Sequence, residues 1–324
     1  MSLAIQMTAV GGPEVLIATD VDVPPPGPAE VRVHQTVVGV NFIDIYHRTG
    51  LYPLPKLPAV IGVEGAGVVE AVGSDVTTVR AGDRVAYAGL PAGGYAERRN
   101  LPEARVVRVP DQVSDRVAGS SMLRGLTAHM LLHKVYPVRE GEFVLVHAAA
   151  GGLGQIMTRW AKRLGAIVIA TVGSEAKVEL AEAAGADQVL LHTAADWPAQ
   201  VKQLADGRGV HLAYDGIGGE TLARTFACVR PFGVVASLGQ AGGPIPSVAV
   251  GDLGPVRSIG LSRPSVVAYS NDPVLYRHAA NDLLAVLGDG LVSTIGAEYA
   301  LRDAARAQAD LETGRTTGSV ILLP

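Results

Sequence analysis

One stretch of the chain combines an apolar run, a turn of small residues and the start of a helix, an arrangement that can bind phosphate. It reads Val144-Leu145-Val146-His147-Ala148-Ala149-Ala150-Gly151-Gly152-Leu153-Gly154. In the pattern G-x-G-x-x-G, Ala149 takes the first place, and Gly151 and Gly154 take the other two. Small residues let the backbone approach a pyrophosphate, and the N-terminal N–H groups of the helix then face the anion. The stretch predicts a dinucleotide-binding turn at Ala150–Leu153, with a purely structural turn as the alternative.

The end of the next predicted strand, Ile167–Val172, bears on which dinucleotide is bound. NAD-binding units usually carry an acidic residue there, which holds the ribose 2′-hydroxyl. Here Gly173 and Ser174 follow the strand, and Lys177 comes one helical turn later. A serine hydroxyl and a lysine cation can hold a 2′-phosphate, so we expect NADPH rather than NADH. Glu175 argues for the opposite preference, and a helix N-cap at Ser174 beside a solvated Lys177 is the structural alternative.

Hydride transfer to a carbonyl often uses zinc as a Lewis acid, but this chain lacks a recognisable set of zinc ligands. Such a site needs clustered cysteine, histidine and carboxylate side chains. The chain has one cysteine, Cys228, and eight dispersed histidines. His129 and His133 have helical i, i+4 spacing, with no cysteine or carboxylate to join them in the sequence pattern. We therefore expect no catalytic metal, and electrophilic assistance from hydrogen-bond donors instead.

The elements that must position these residues follow two different patterns. Residues 1 to about 123 contain short apolar runs between Pro and Gly clusters, which predicts a barrel or sandwich. From about 124 to 265 apolar strands alternate with helices, which predicts a parallel, doubly wound sheet in an α/β protein. Strands are predicted at 142–148, 166–172, 188–191, 210–214, 233–238 and 258–262, and helices at 124–134, 153–164, 175–184, 196–204 and 220–229. Residues 266–324 leave this alternation, with helices at 273–287 and 301–311 and strands near 292–299 and 319–323.

The composition restricts the classes of function. The chain of 324 residues fits two compact units, and its 48% of apolar residues can fill sizeable cores. The net charge of −4 argues against a nucleic-acid partner. The single cysteine favours a reducing, cytoplasmic location. No signal-peptide pattern and no apolar run of about 20 residues is found, so we expect no membrane partner.

Short motifs spread over the whole chain form a combination that is far more specific than any one of them. They are Gly11-Gly12-Pro13-Glu14-Val15, Asn41-Phe42-Ile43-Asp44-Ile45-Tyr46, Gly50-Leu51-Tyr52-Pro53, Gly62-Val63-Glu64-Gly65-Ala66-Gly67, Ala81-Gly82-Asp83-Arg84-Val85, Gly125-Leu126-Thr127, Arg263-Pro264-Ser265 and Thr317-Gly318. With the small-residue turn, they resemble the quinone oxidoreductases, the zeta-crystallin-like branch of the medium-chain dehydrogenase/reductase superfamily. Zinc-dependent relatives carry Gly-His-Glu where this chain has Gly62-Val63-Glu64, which agrees with the missing zinc ligands.

The resemblance implies a domain organisation and a set of cofactor contacts. Residues 1–123 and 266–324 would form a GroES-like catalytic domain, and residues 124–265 a Rossmann NADPH-binding domain. The cofactor would be contacted at the nicotinamide end by Asn41, Phe42, Ile43, Asp44 and Thr127, at the adenosine phosphate by Gly173, Ser174, Lys177 and His192, and elsewhere by Gly239, Gln240, Arg263 and Arg315. Relatives frequently carry a tyrosine in place of His192, and a protonated histidine could replace it. Homodimers are also implied.

The resemblance further implies hydride transfer from NADPH to a quinone, with catalysis by positioning and by stabilisation of oxyanion charge. Tyr46 and Tyr52 are the candidate donors, and Asn41 is expected to orient substrate or nicotinamide. The structural alternatives are a turn cap at Asn41 and plain aromatic packing at both tyrosines. The functional alternatives are an NADPH-dependent enone, alkenal or acrylyl-thioester reductase and a non-enzymatic structural or RNA-binding role, which the acidic charge and the lack of an arginine/aromatic platform disfavour.

Overall fold

The computed structural model describes all residues, 1–324. Its sixteen strands are β1 (Ser2–Met7), β2 (Leu16–Val21), β3 (Glu30–Val40), β4 (Ala59–Val60), β5 (Glu64–Val72), β6 (Arg84–Ala88), β7 (Arg98–Pro102), β8 (Val107–Arg108), β9 (Phe143–Val146), β10 (Ile167–Val172), β11 (Gln188–Leu191), β12 (Val210–Asp215), β13 (Val229–Ser237), β14 (Gly260–Ser262), β15 (Ile295–Ala300) and β16 (Ser319–Leu323). Its nine α-helices are α1 (Phe42–Arg48), α2 (Asp115–His129), α3 (Gly152–Arg163), α4 (Val178–Ala183), α5 (Trp197–Leu204), α6 (Gly219–Thr225), α7 (Val266–Asn271), α8 (Pro273–Gly288) and α9 (Ala304–Glu312). None of these helices has the length and apolar character needed to cross a membrane.

The chain divides into two compact units. The first comprises Met1–Leu126 and Val266–Pro324, and the second comprises Thr127–Ser265. The second unit is therefore inserted into the sequence of the first.

The inserted unit contains a six-stranded parallel sheet in the order β11-β10-β9-β12-β13-β14. The order reverses at β9, whose neighbours β10 and β12 lie on its two sides. This is the strand order of a dinucleotide-binding fold, and it confirms the predicted α/β class with a Rossmann sheet. The central strands are fully buried, as the apolar sequence Phe143–Val146 predicts for a strand covered on both faces.

Helix α3 covers one face of this sheet because its apolar residues recur at helical spacing. Ile156, Met157, Trp160 and Ala161 are buried, and positions 156/160 and 157/161 lie one turn apart on one face of the helix. Lys162 and Arg163 end the helix, where cations interact favourably with its dipole. The chain then turns at Gly165, which has φ +81°, and enters β10.

The first unit contains two sheets. A three-stranded sheet has the order β2-β1-β4, and a seven-stranded sheet has the order β15-β16-β3-β5-β6-β8, with β7 paired to β3. Strand β16 lies between β15 and β3, antiparallel to β3, so the last segment of the chain completes a sheet begun by the first. The buried side chains of β1, β3 and β16 form a common core with Tyr95 and Leu301.

Two boundaries differ from those read from the sequence. Helix α2 begins at Asp115, nine residues before the predicted start at 124, because residues 118–123 are buried and take part in packing despite their small and polar side chains. Strand β13 begins at Val229 rather than at 233, and a single 3-10 turn at Phe226–Cys228 replaces the end of the predicted helix. The strand passes through Pro231 and Phe232 by an irregularity in its pairing with β12.

Candidate functional site

The turn after β9 brings backbone, rather than side chains, to the carboxyl end of the central strand. Ala148 has φ +51°, and the N–H of Gly151 donates to the carbonyl of Ala148 at 3.0 Å, which closes the turn. A Cβ on Gly154 would press into the Ala148 carbonyl oxygen and would lie 2.6 Å from the Ala149 Cα. Helix α3 can therefore pack this closely on the strand only because residue 154 is glycine.

Helix α3 begins at this turn with no side-chain cap on its N-terminal N–H groups. The first N–H groups of any helix have no partner within the helix, and here small residues leave them accessible to a ligand. The carboxamide of Gln155 donates to the Ala150 carbonyl at 3.0 Å and so links the turn to the first turn of α3. A helix N-terminus without a side-chain cap, at the switch point of a parallel sheet, fits the pyrophosphate of a dinucleotide.

His147, within the same motif, has a structural environment. Its Nδ1 lies 2.7 Å from Thr171 Oγ1 and its Nε2 lies 2.9 Å from Thr225 Oγ1. Burial lowers the pKa of His147 to about 3, with a smaller contribution from His192, so the imidazole is neutral. It therefore joins β9 to β10 and α6 and aligns the ends of these elements, and it carries no charge for phosphate binding.

A basic group forms where β10 and β11 end. Gly173 and Ser174 follow β10, and a Cβ on Gly173 would lie 3.3 Å from the His192 Cε1. The Ser174 side chain makes no capping hydrogen bond to the turn at Glu175–Lys177, so its hydroxyl is not used as an N-cap. Burial lowers the pKa of His192, and the positive charges of Lys177 and Arg224 lower it further. The charges of Lys177 and Arg224 thus both act on the His192 ring.

His192 also carries a buried nitrogen, Nδ1, without a hydrogen-bond partner. Arg224 donates to the carbonyls of Ala194 and Ala195 and lies over the ring of Trp197, which holds the segment after His192 in place. An imidazole ring, a lysine cation and a serine hydroxyl that caps no helix are together chemically suitable to bind a phosphate monoester.

The predicted residues near the ends of β13 and β14 lie close to the segment that follows β12. Gly218, with φ +71°, follows β12, and a Cβ there would lie 2.9 Å from the Gln240 Cα and 3.1 Å from the Gly239 oxygen. Arg263, after β14, donates to the Ser237 carbonyl at 2.9 Å. Gly239, Gln240 and Arg263 therefore line the same edge of the sheet as the turn after β9. Thr127 lies in α2, at the start of this unit.

In the first unit, the predicted catalytic tyrosines form an aromatic group on and beside α1. The rings of Tyr46 and Tyr52 meet edge to face at 5.3 Å, and Phe42 lies 6.3 Å from Tyr46. The Tyr52 N–H donates to the Tyr46 carbonyl, and His47 Nδ1 lies 2.8 Å from the Tyr52 carbonyl oxygen. Tyr46 and Tyr52 are thus brought together, and both retain partial exposure.

Asn41, which precedes α1, is held by two buried carboxylates. Its backbone N–H donates to Asp44 Oδ2 at 2.8 Å, and its side-chain Nδ2 donates to Glu64 Oε2 at 2.6 Å. Asp44 and Glu64 are both completely buried. Burial raises the pKa of Asp44 to about 7 and also raises that of Glu64, an effect that the Arg124 charge opposes. The Asp44 carboxyl group therefore interacts with other groups of the protein and not with solvent. Phe42 and Ile43, the first two residues of α1, are partly exposed.

Several residues of this buried network were not identified from the sequence. Tyr95 donates to Asp44 Oδ2 at 3.1 Å, and Gln308 donates to the Tyr95 hydroxyl at 3.3 Å. Arg124 Nη1 lies 3.4 Å from Glu64 Oε2. Their positions 95, 124 and 308 are far from Asn41 in sequence, and no local pattern marks them. Arg315, in contrast, was predicted to reach a cofactor, and here its exposed guanidinium pairs with Asp310 at 3.4 Å.

Two sequence families match the two units. The profile described as "Alcohol dehydrogenase GroES-like domain" matches residues 27–111, and the profile described as "Zinc-binding dehydrogenase" matches residues 152–271. A GroES-like unit together with a dinucleotide-binding unit defines the class as that of the medium-chain dehydrogenases/reductases.

Full-length relatives identify the branch. A quinone oxidoreductase of Pseudomonas aeruginosa is 43% identical, and a 2-haloacrylate reductase of Burkholderia is 38% identical, each over 100% of this chain and at least 99% of its own length. The crystal structure of Escherichia coli quinone oxidoreductase complexed with NADPH has a TM-score of 0.95 and 38% identity, over 99% of this chain and 100% of that one. The chain belongs to the quinone oxidoreductase family of oxidoreductases.

The description of one matching profile names zinc, and the residues around Glu64 do not fit that ion. The Val63 side chain offers no ligand atom. The Glu64 oxygens already accept from Asn41, from Arg124 and from the Leu123 N–H. Cys228 is buried in the other unit, where burial raises its pKa to about 12 and so disfavours the thiolate that binds metal.

Proposed function

We propose that the protein is an NADPH-dependent reductase of quinones. The observation that carries the proposal is the turn Ala148–Gly151, where side-chain-poor backbone leads into the uncapped N-terminus of α3 at the switch point of the parallel sheet. This geometry suits the pyrophosphate of a dinucleotide. The similarity to quinone oxidoreductases, one of them crystallised with NADPH, supports the choice of cofactor and of substrate class.

The preference for NADPH rests on the basic group after β10. The Ser174 hydroxyl and the Lys177 ammonium would bind the 2′-phosphate, and His192 would contribute the edge of its ring that lies near Gly173. Gly173 keeps the approach open because any side chain there would meet the His192 ring. The inserted unit, 127–265, would thus be the cofactor-binding domain, and the unit of 1–126 and 266–324 would be the catalytic domain.

When bound, NADPH supplies the hydride that reduces the substrate. The work of the chain is then to orient the reactants and to stabilise negative charge on the substrate oxygen. The phenols of Tyr46 and Tyr52 are the proposed donors to that oxygen, since their edge-to-face contact holds both rings in place. Asn41 orients substrate or nicotinamide, and its amide is fixed because Glu64 binds its Nδ2.

A second candidate substrate class is the activated alkene of an enone or haloacrylate. The observation that favours it is the full-length similarity to a 2-haloacrylate reductase. The same cofactor site and the same oxyanion donors serve both reactions, because hydride addition to the β-carbon also places charge on the carbonyl oxygen. A reducing, cytoplasmic location and a homodimeric state complete the proposal, and small molecules rather than nucleic acids or membranes are the proposed partners.

The test follows oxidation of NADPH and NADH by the purified protein with a simple quinone and a simple enone in parallel. Turnover of the quinone with NADPH, and little turnover with NADH, is the expected result. Preference for the enone would transfer the assignment to alkene reduction. Binding of neither cofactor would refute the proposal. Tyr46→Phe and Tyr52→Phe should lower the turnover number and leave the affinity for NADPH nearly unchanged. Tyr299→Phe, the same substitution at a position distant in sequence, is the control.

A further inference from the structure

Asn41 is fixed at two separate points by two carboxylates with different electrostatic surroundings. Glu64 receives three donors, of which Arg124 is a cation. Arg124 in turn donates to the carbonyls of Ser120 and Val40, so this pair is tied to β3 and α2. Glu64 is therefore a charge with a direct counter-ion, and its bond to the Asn41 side chain is charge-assisted.

Asp44 has no contacting cation. Its Oδ2 accepts from the Asn41 N–H and from the Tyr95 hydroxyl, and its Oδ1 is buried without a partner. The charged group nearest in effect is Glu64, whose negative charge disfavours ionisation, and Arg124 opposes it from a distance. A carboxyl group with one unpartnered oxygen in a dry environment is protonated at a higher pH than one paired with a cation.

The packing around Asp44 is rigid. Gln308 donates to Tyr95, and Arg48 donates to Gln308 at 2.9 Å and pairs with Glu312 at 2.6 Å. Arg48 and Gln308 are themselves buried, so this chain of contacts joins α1 to α9. Asp44 cannot move to solvent to relieve a change in its charge, and the change must act on the two groups that donate to it.

We propose that Asp44 is a positioning residue for hydride transfer, which acts through Asn41: its carboxylate, held by Tyr95, fixes the backbone of Asn41 at the start of α1. This role rests on the proposed function, because Asn41 is there the residue that orients substrate or nicotinamide. Asp44 and Tyr95 are completely buried, so the proposed effect of their side chains passes through Asn41. Glu64 fixes the side chain of Asn41 and Asp44 fixes its main chain, so both are needed to define the direction of the amide.

The consequence is a pH dependence with a defined sign. Ionised Asp44 makes two charge-assisted bonds, and protonated Asp44 makes two neutral ones, which are about half as strong. The carboxyl is protonated below its pKa, which burial raises to about 7. The rate of hydride transfer should therefore fall, by roughly fivefold, as pH decreases through neutrality.

The experiment measures single-turnover NADPH oxidation by a saturating quinone between about pH 5.5 and pH 9, with the dissociation constant of NADPH measured at each pH. Asp44→Asn should give a rate that is independent of pH across the neutral range and close to the acid limit of the wild type. Tyr95→Phe removes a donor that favours the ionised carboxyl, so it should move the midpoint up by roughly half a pH unit. Tyr87→Phe, an equally buried phenol that binds Gln35, is the matched control and should leave the midpoint in place.

The outcomes separate the two proposals. Quinone turnover whose pH midpoint is the same in the wild type, Asp44→Asn and Tyr95→Phe would overturn the role of Asp44 and leave the proposed function intact. Absence of NADPH oxidation by the wild type with any acceptor at any pH would overturn the proposed function and this role with it. If Asp44→Asn does not fold, the test rests on the pH midpoint of Tyr95→Phe. A midpoint higher than that of the Tyr87→Phe control supports the role of Asp44, and an equal midpoint overturns it. A purely structural role would lower the rate without moving the midpoint.

Discussion

Two glycines of the same turn allow the cofactor site to be tested against the stability of the fold. In Gly154→Ala, the added Cβ meets backbone atoms, with the Ala149 Cα at 2.6 Å and its carbonyl carbon at 2.9 Å. In Gly151→Ala, it meets only the Ala148 oxygen, at 3.3 Å, and φ there is −78°. The first substitution strains the protein itself, and the second places a methyl group in the space that a ligand would use.

The magnitudes follow from these contacts. Overpacking costs about 1–3 kcal/mol, and the upper end applies to Gly154 because backbone atoms cannot rotate away. The better helix propensity of alanine returns up to about 1 kcal/mol, which leaves a net loss of about 2 kcal/mol. At roughly 3 °C per kcal/mol, the melting temperature of Gly154→Ala should fall by about 6 °C. Gly151→Ala should melt within about 2 °C of the wild type.

The assay is calorimetric titration with NADPH beside thermal unfolding. Both variants should bind NADPH at least about tenfold more weakly, Gly154→Ala because the turn is displaced and Gly151→Ala because the methyl group obstructs the pyrophosphate. Binding loss in Gly151→Ala without loss of stability is therefore the diagnostic result. Wild-type affinity in Gly151→Ala would refute the assignment of the turn as the pyrophosphate site.

Three other substitutions probe charge. Lys177→Ala should weaken NADPH binding about tenfold and leave NADH binding nearly unchanged, as measured by titration at fixed ionic strength. An equal loss of affinity for both cofactors would contradict a contact with the 2′-phosphate. Burial lowers the pKa of His192. A bound phosphate would raise it again, so NADPH affinity should strengthen as the pH falls, and His192→Gln should reduce that dependence on pH. Burial raises the pKa of Asp44 from 3.8 to about 7. Between these two pH values the folded protein keeps the Asp44 proton and the unfolded chain has lost it. The free energy of unfolding should therefore fall as the pH rises from 3.8 to about 7, by up to about 4 kcal/mol, and then level off. Denaturant titrations of the wild type and Asp44→Asn check this, and parallel pH curves for the two would contradict it.

The inserted unit was the more predictable part of the fold. Its inner strands β9 and β10 are buried along most of their length and each gives a continuous apolar run. The edge strand β11 was predicted at its observed bounds, Gln188–Leu191. The end of α6 was not, because residues 226–229 continue a helical apolar pattern, whereas Phe226–Cys228 form a 3-10 turn and Val229 pairs with Val210 in β13. At this point strand pairing, and not the local helix propensity, determines the structure.

In the candidate site, the predictable part was local in sequence. The turn after β9 and the segment Gly173–Lys177 each lie within a few residues, so spacing alone suggests their chemistry. The surroundings of Asn41 depend on contacts with Glu64, Tyr95 and Arg124, which come from other elements. The burial of Asp44 was equally hidden, because an aspartate at the start of a helix normally faces solvent.

The position of β16 bears on how the protein is made. This strand pairs with β3 in the first unit, yet it follows the entire inserted unit in the chain. During synthesis on a ribosome, residues 127–265 are therefore made before β16. Until β16 is added, the edge of β3 at Val38–Val40 that pairs with it stays unpaired. The inserted unit draws its sheet entirely from within itself and can fold during this interval. Nascent chains should accordingly acquire protease resistance first in the inserted unit, and the first unit should follow when β16 is added.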